Sequence, residues 1–240
     1  MNLSVRPLWT TDHYNNSSIQ RHLPDGLRLT SQTFRLMIKC DVTVCGIVSR
    51  SATMRTDKEG MPYTAFALNV VIPARSGINK TIEVCVTKDG GSEEQLADYA
   101  PGQRLEVGGT LYFKKQGEVL HFNLSATEVN FATTATEDSV KGTMQFRGKT
   151  GKSIDEKTDK KGNPYTQFSA FSASKAGDGF EYVWVRFIQF GKVREPWLQP
   201  ATHIEVSGEL ELSVYNDNLN IGCKVAELSE YIKPLYNPQR

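Results

Sequence analysis

The chain has 240 residues, of which 39% are hydrophobic and 23% are charged, and its formal net charge is +1. This length allows two domains of about 100 residues each and a shorter additional segment. A net charge near zero gives no information about partners, so any electrostatic argument must rest on local clusters. No stretch approaches the roughly 20 consecutive apolar residues that a membrane-spanning helix needs.

The N-terminal stretch and the cysteines favour a cytoplasmic protein. Residues 1–18 lack the long apolar region of a secretory signal. The four cysteines form no CxxC pair and are expected to be reduced thiols, as in cytosolic proteins. No Cys/His spacing of a zinc site is present, so no metal or other cofactor is expected.

In chain order, residues 1–40 form an N-terminal extension with weak strand character at 27–29 and 34–38. The stretch TDKEGMPYTAF follows at 56–66, and its near copy TDKKGNPYTQF lies at 158–168. The two stretches share eight of eleven residues. In each of them, a glycine followed by a proline predicts a hairpin turn between the first two strands of a unit.

The similarity extends over a whole domain. The stretches EVCV at 83–86 and YVWV at 182–185 align with an offset of 99 residues, as do LEVGGTL at 105–111 and IEVSGEL at 204–210. The offset of the turns is 102, so we expect that three residues were gained or lost before the third strand. A unit this long is a duplicated domain, since solenoid repeats have about 20–50 residues.

The predicted organisation is therefore two domains in tandem. The extension covers 1–40, the first domain 41–131, the second domain 140–232 and a C-terminal tail 233–240. The small polar segment 132–139 is the predicted linker.

Within each copy, apolar and polar residues alternate with the period of two that is typical of half-buried strands. A short helix is predicted in the first copy, where Ser92 and Gln95 fit a capping box and Pro101 ends the segment. The matching segment of the second copy holds two prolines and allows one or two helical turns at most. Five strands with a helix between the third and fourth predict an all-β, five-stranded Greek-key barrel, the OB-fold, in each copy. A small β-sandwich is the alternative.

Aromatic residues of the second copy break the rule that the outer face of a barrel is polar. If Val183, Val185 and Phe187 face the interior, then Trp184 faces outward, with Arg186 and Phe190 beside it. Tyr165 and Phe171 share one face of the preceding strand. Exposed rings mixed with basic residues suit single-stranded nucleic acid, because bases stack on rings and cations contact phosphates. Alternatively, the extension or a subunit interface covers these rings.

A local excess of positive charge lies near these rings, over the first strand and hairpin turn of the second copy. Seven basic residues and only three acidic ones occur between 141 and 162. Four of the lysines are candidate contacts to phosphate: Lys149, Lys152, Lys160 and Lys161. A local charge of about +4 should attract phosphates and make binding sensitive to salt.

The segments WVRFIQFGK at 184–192 and HIEVSGEL at 203–210 resemble the bacterial single-stranded-DNA-binding protein family, which carries a W-x-R-x-x-x-F-G-K run followed by a glycine-containing strand. The resemblance covers most of 140–230. It implies an OB-fold, base stacking by Trp184 and Phe190, and basic contacts from Arg186 and Lys192. It also places Tyr215 near a hairpin that the family closes over DNA.

The first copy departs from this pattern. In the sequence alignment, Cys85 stands in the place of Trp184 and Thr87 in the place of Arg186, and no FGK run is present. Tyr63 and Tyr112 remain candidates for contact in this copy. The resemblance does not extend to the family's acidic C-terminal tail, so docking of partner proteins through such a tail is not expected.

The sequence gives little support for catalysis, because the four histidines are scattered and none of the common hydrolase motifs occurs. GKTGKS at 148–153 imitates a phosphate-binding loop, but residue 146 is phenylalanine where the motif needs glycine. We therefore expect a non-enzymatic protein without a small-molecule substrate or a membrane partner.

The predicted function is sequence-tolerant binding of single-stranded DNA, with RNA as a further possible ligand. The expected setting is replication, repair, recombination or mobile-element transfer. The family typically brings four OB-folds together, so a homodimer would match that number. The alternative function is an OB-fold interaction module that uses the exposed rings to assemble a replication or conjugation complex.

Overall fold

The structure, a computed structural model, describes residues 37–74, 77–176, 179–191 and 194–232. The predicted extension up to residue 36 and the tail 233–240 lie outside these ranges. The described chain is all-β apart from one short helix. The strands of the first repeat are β1 (Met37–Thr56), β2 (Pro62–Ile72), β3 (Lys80–Asp89), β4 (Arg104–Gln116) and β5 (Val119–Asn130). Those of the second repeat are β6 (Ser139–Thr158), β7 (Pro164–Ala176), β8 (Gly179–Phe190), β9 (His203–Tyr215) and β10 (Asn218–Glu230).

Strand pairing closes each repeat into a ring. In the first, β1 pairs with β2 and β4, β5 pairs with β3 and β4, and β2 pairs with β3. The second ring repeats this pattern with β6 to β10. In both rings the third and fifth strands are parallel and the other pairs are antiparallel. Alternate residues are buried inside each ring, as the period of two predicts.

The two rings are joined by their first strands. Residues Met37–Cys45 of β1 pair antiparallel with Ser139–Arg147 of β6, so that all ten strands form one continuous sheet. Because the pairing begins at Met37, β1 starts four residues before the predicted boundary of the first domain. Gly46 and Gly148 lie where these long strands turn to follow β2 and β7. A Cβ atom there would overlap the backbone carbonyl oxygens of Asn69 and Phe171, which explains the glycines.

The register of the third strand corrects the sequence alignment of the two copies. Phe66 pairs with Val86, whereas Phe168 pairs with Phe187, so β3 and β8 correspond at an offset of 101 rather than 99. The structural counterpart of Trp184 is therefore Glu83. A shift by two residues leaves the inside–outside alternation unchanged, so periodicity alone cannot detect it.

The repeated turn sequence forms the same hydrogen-bonded turn in both copies. Asp57 Oδ1 accepts hydrogen bonds from the backbone N–H groups of residues 59 and 61, at 2.9 and 2.8 Å. Asp159 Oδ1 accepts the equivalent bonds from residues 161 and 163, both at 2.8 Å. Gly60 and Gly162 have φ angles of 80° and 86°, which favour glycine. The predicted hairpin turn is confirmed, and its sequence is explained by this local geometry.

The segment between the third and fourth strands differs between the copies. In the first it is a 3₁₀ helix over Glu93–Asp98, where the Ser92 N–H donates to Gln95 Oε1 at 3.2 Å. In the second, the described residues 194–202 form turns and no helix, so the prediction of a helix in each copy is wrong for these residues. Pro196 and Pro200 lack the N–H groups that helical hydrogen bonds need.

The predicted linker 132–139 ends in a charged contact with the first ring. Asp138 accepts hydrogen bonds from Arg104 Nη1 at 2.5 Å and from the backbone N–H of Val71 at 2.8 Å. The Asp138 side chain is only 9% exposed. This carboxylate therefore fixes the start of β6 against β2 and β4.

Across the ranges that the structure describes, no helix is both long enough and apolar enough to span a membrane.

Candidate nucleic-acid interface

Strand β8 presents two different faces. Val183, Val185 and Phe187 point into the second ring and are buried. The intervening Trp184 is 52% exposed, and Arg186 is exposed as well. The outward orientation that the alternation predicts for the indole is therefore what the structure has.

Aromatic side chains of β7 and β8 lie on the outer side of the second ring, and this surface is here called the aromatic face. Phe171 contacts Trp184 with ring centroids 4.9 Å apart, and Tyr165 contacts Phe190 at 5.7 Å. These pairs follow from the strand register, in which Phe171 lies opposite Trp184 and Tyr165 opposite Phe190. The aromatic face consists of Tyr165, Phe171, Phe180, Tyr182, Trp184 and Phe190.

Two of these rings, Phe180 and Tyr182, are absent from the sequence-based list of candidates. They are 64% and 45% exposed, and Tyr182 contacts Phe171 with centroids 5.3 Å apart. Both have the same parity along β8 as Trp184, so extending the period of two towards the start of the strand would have identified them.

A glycine makes room for the indole. The strand β6 has an irregularity between Thr150 and Ile154, opposite β7. Within it, a Cβ atom on Gly151 would lie 3.1 Å from Trp184 Cζ3 and 3.2 Å from Ser169 O. The indole therefore lies close over the backbone of β6, which supports one side of the ring and leaves the rest accessible.

The predicted cations lie around the aromatic face. Lys149 is opposite Phe171 in the strand register, and Lys152 follows Gly151 in the irregular part of β6. Lys160 and Lys161 lie at the tip of the β6–β7 turn. Within the described ranges, none of these four lysines forms a salt bridge. Their charges are thus available to phosphate groups.

Arg186 and Tyr215 line a common pocket, although they are 29 positions apart in the chain. Arg186 reaches it from β8, and the 65% exposed Tyr215 from the end of β9. Gly222 of β10 lies between Arg186 and Glu211 in the register, and Glu211 contributes a carboxylate to the pocket. The sequence predicts Arg186 and Tyr215 separately, and only the fold brings them together.

The equivalent surface of the first ring carries an ion pair where the second ring has an exposed indole and an unpaired lysine. Arg50, the counterpart of Lys152, donates to Glu83 Oε1 at 2.6 Å and to the sulfur of Cys85 at 3.8 Å. Burial raises the pKa of the Cys85 thiol, and the Glu83 carboxylate raises it further. Glu83 stands where the second ring has Trp184, so a paired carboxylate replaces the exposed indole.

The remaining candidates differ in their placement. Tyr63, a candidate for contact in the first copy, is 8% exposed and has a partner. Tyr112 is half-buried on β4, where it lies opposite Asn123. Lys192 lies outside the described residues.

This arrangement can bind flat rings and anionic groups through stacking and through unpaired cations. Among the described residues, no group of three His, Cys, Asp or Glu side chains could hold a metal ion.

No protein-family model matches the sequence, and a search of curated proteins found no match. Solved structures do match. A deletion variant of the single-stranded DNA binding protein from Thermus aquaticus aligns over 86% of this chain and 99% of its own, with 16% identity and a TM-score of 0.42. The chain is similar in structure to bacterial single-stranded DNA-binding proteins.

Shorter proteins match about two fifths of the chain. The small single-stranded DNA-binding protein from Streptomyces coelicolor is covered completely and aligns with 42% of this chain, at 19% identity and a TM-score of 0.30. The PriB protein from Ralstonia solanacearum is covered to 97% and aligns with 38%, at 14% identity and a TM-score of 0.29.

Proposed function

We propose that this protein binds single-stranded DNA in a sequence-tolerant manner, through the aromatic face of its second ring. The observation that carries the proposal is the exposure of Trp184 and Phe190 beside unpaired lysines. Leaving several large rings in water is unfavourable unless a ligand covers them. Bases cover rings by stacking, at about 1–3 kcal/mol per base, and phosphates contact the lysines.

Each closed ring of five strands is interpreted as an OB-fold barrel, the first covering 41–131 and the second 140–232. The parallel pairing of the third and fifth strands and the helix after β3 support this interpretation for the first ring. The second ring has the same pairing with turns in place of the helix. Only this second barrel presents the aromatic face.

The first barrel is proposed to bind more weakly or to serve assembly. Its Arg50–Glu83 ion pair neutralises the cation that corresponds to Lys152. Two chains would supply four barrels, so we propose a homodimer. Light scattering would test it, and a monomer mass at micromolar concentration would contradict it.

The proposed setting is cytoplasmic DNA replication, repair, recombination or mobile-element transfer, where single strands need protection. The protein acts as a binding protein rather than an enzyme. RNA is a second candidate ligand, since stacking and phosphate contacts do not depend on the sugar.

The test is a fluorescence titration of the full chain with oligo-dT at several salt concentrations. Stacking on Trp184 should quench tryptophan emission, and the affinity should fall as salt rises, because bound phosphates release counterions.

The rival function is an assembly module that covers the aromatic face with another protein or a second chain. In that case oligo-dT causes no quenching even at low salt. Sedimentation would instead detect self-association that Trp184→Ala abolishes.

A further inference from the structure

Three neighbouring strands place a cation, a glycine and a carboxylate in one row across the second barrel. In the register, Gly222 of β10 lies beside Arg186 of β8 on one side and beside Glu211 of β9 on the other. Since adjacent strands are about 4.8 Å apart, the two charged residues start about 10 Å from each other. The glycine between them has no side chain, which leaves a gap with a guanidinium on one wall and a carboxylate on the other.

The next row shows what closes such a gap. There Lys224 lies between Ile188 and Glu209, and its Nζ is 3.7 Å from Glu209 Oε2. Lys224 therefore fills the middle position and compensates the neighbouring carboxylate. Arg186 and Glu211, in contrast, form no salt bridge with each other or with any other described residue.

The floor of the pocket is apolar and is formed by Ile188, Val214, Ile221 and Cys223. The pocket is also lined by Ser213, Asn220 and the exposed Tyr215. It thus offers separate hydrogen-bond donors and acceptors on opposite walls and a ring at its rim. These are the features of a site for a flat, polar heterocycle.

We infer that this pocket binds a guanine base and gives the protein a preference for guanine within otherwise sequence-tolerant binding. Guanine has two adjacent donors, N1–H and the 2-amino group, which match the two oxygens of the Glu211 carboxylate. Its O6 and N7 are acceptors that match the Arg186 guanidinium, a common pairing in DNA recognition. Thymine has a single N–H between two carbonyl groups and matches the carboxylate poorly.

The inference deepens the proposed function and rests on it. It applies to the second barrel only, because the corresponding row of the first is Cys85, Asn123 and Tyr112. In that row no carboxylate faces a cation. A simpler role for Glu211 is repulsion of phosphates, which would weaken the binding of every sequence equally.

The experiment compares three single-stranded oligonucleotides of equal length: oligo-dT, a repeat of dT-dT-dG and the same repeat with inosine in place of guanosine. Inosine lacks the 2-amino group, so the difference between the last two isolates the contact with the carboxylate. Affinities are measured for the unaltered chain, for Glu211→Ala and for Glu209→Ala. The last variant is the matched control, because Glu209 lies on the same strand and face but outside the pocket.

The expected result is that the unaltered chain binds the guanosine repeat at least about 5-fold more tightly than the inosine repeat, the lower end of the range for a specific base contact. Glu211→Ala should abolish this ratio, and Glu209→Ala should preserve it. Equal affinity of the unaltered chain for the two repeats would overturn the inference, as would loss of the ratio in both variants. A gain in affinity of Glu211→Ala for all three oligonucleotides with an unchanged ratio would assign Glu211 to phosphate repulsion. If the unaltered chain bound none of the oligonucleotides, the proposed function itself would fail.

Discussion

Replacing Trp184 with alanine is the most direct perturbation of the aromatic face. The side chain is 52% exposed, which for an indole residue of about 250 Å² leaves about 130 Å² accessible. Covering all of it at about 25 cal/mol per Å² would contribute about 3 kcal/mol. A base that stacks on one face covers about half of this area, so we expect a loss of about 1.6 kcal/mol, or about 15-fold in affinity.

The assay is fluorescence anisotropy of a labelled oligo-dT at fixed salt, because Trp184→Ala removes the indole whose emission is expected to respond to DNA, while Trp9 and Trp197 still emit. The matched control is Glu83→Ala, at the structurally equivalent position of the first barrel, which should change affinity less than twofold. Trp184→Ala also removes the contact between Trp184 and Phe171, which is worth about 0.5–1.5 kcal/mol of folding stability. Thermal melting must therefore confirm that the variant is folded at the assay temperature.

An affinity of folded Trp184→Ala within twofold of the unaltered chain would refute the stacking argument. Equal weakening by Glu83→Ala would also refute it, since the loss could then not be assigned to the second barrel.

Three further outcomes follow from the charges of the described residues. Replacing both Lys160 and Lys161 with glutamine should make the negative slope of log affinity against log salt shallower by up to about 1.4, at about 0.7 per phosphate contact. An unchanged slope would mean that the turn does not contact DNA. Asp138→Asn should reduce the free energy of unfolding by about 1–3 kcal/mol in urea denaturation, because a buried charge-assisted hydrogen bond weakens. Glu83→Gln, which breaks the exposed ion pair with Arg50, should reduce the free energy of unfolding by less than about 1 kcal/mol. A larger reduction for Glu83→Gln than for Asp138→Asn would contradict this ranking. The pKa of Asp159 lies below its usual value because the side chain and N–H of residue 163 donate hydrogen bonds to its carboxylate. Its contribution to stability is therefore complete above the unfolded-state pKa and is lost as the pH falls through the folded-state pKa. An NMR titration of the Asp159 carboxyl group measures this pKa, and a midpoint at or above the ordinary value would contradict the turn geometry.

Most of the strand pattern could be predicted from the sequence, because a strand with one buried face has a period of two that is visible in its residues. The outward orientation of Trp184 followed from its buried neighbours Val183 and Val185. The repeated turn could also be predicted, since aspartate, glycine and proline at these positions have strong local preferences for turn conformations. These features depend on residues within a few positions of each other.

Other features could not be read in this way. The helix expected in the second copy is absent from the described residues, because prolines and tertiary packing outweigh the analogy between repeats. The alignment of the third strands was wrong by two residues, a shift that keeps every side chain on its own face. The sequence also offers Tyr63 as a candidate for contact, whereas the fold leaves it only 8% exposed.

The sequence by itself determined that this chain is a duplicated all-β protein and which side chains its strands turn outward, because alternation and turn chemistry are local properties. Only the tertiary structure decided which distant residues share a surface: Arg186 with Tyr215 and Glu211, or Arg50 with Glu83. Those partnerships depend on strand register and ring closure, which are set by non-local pairing between strands far apart in the chain.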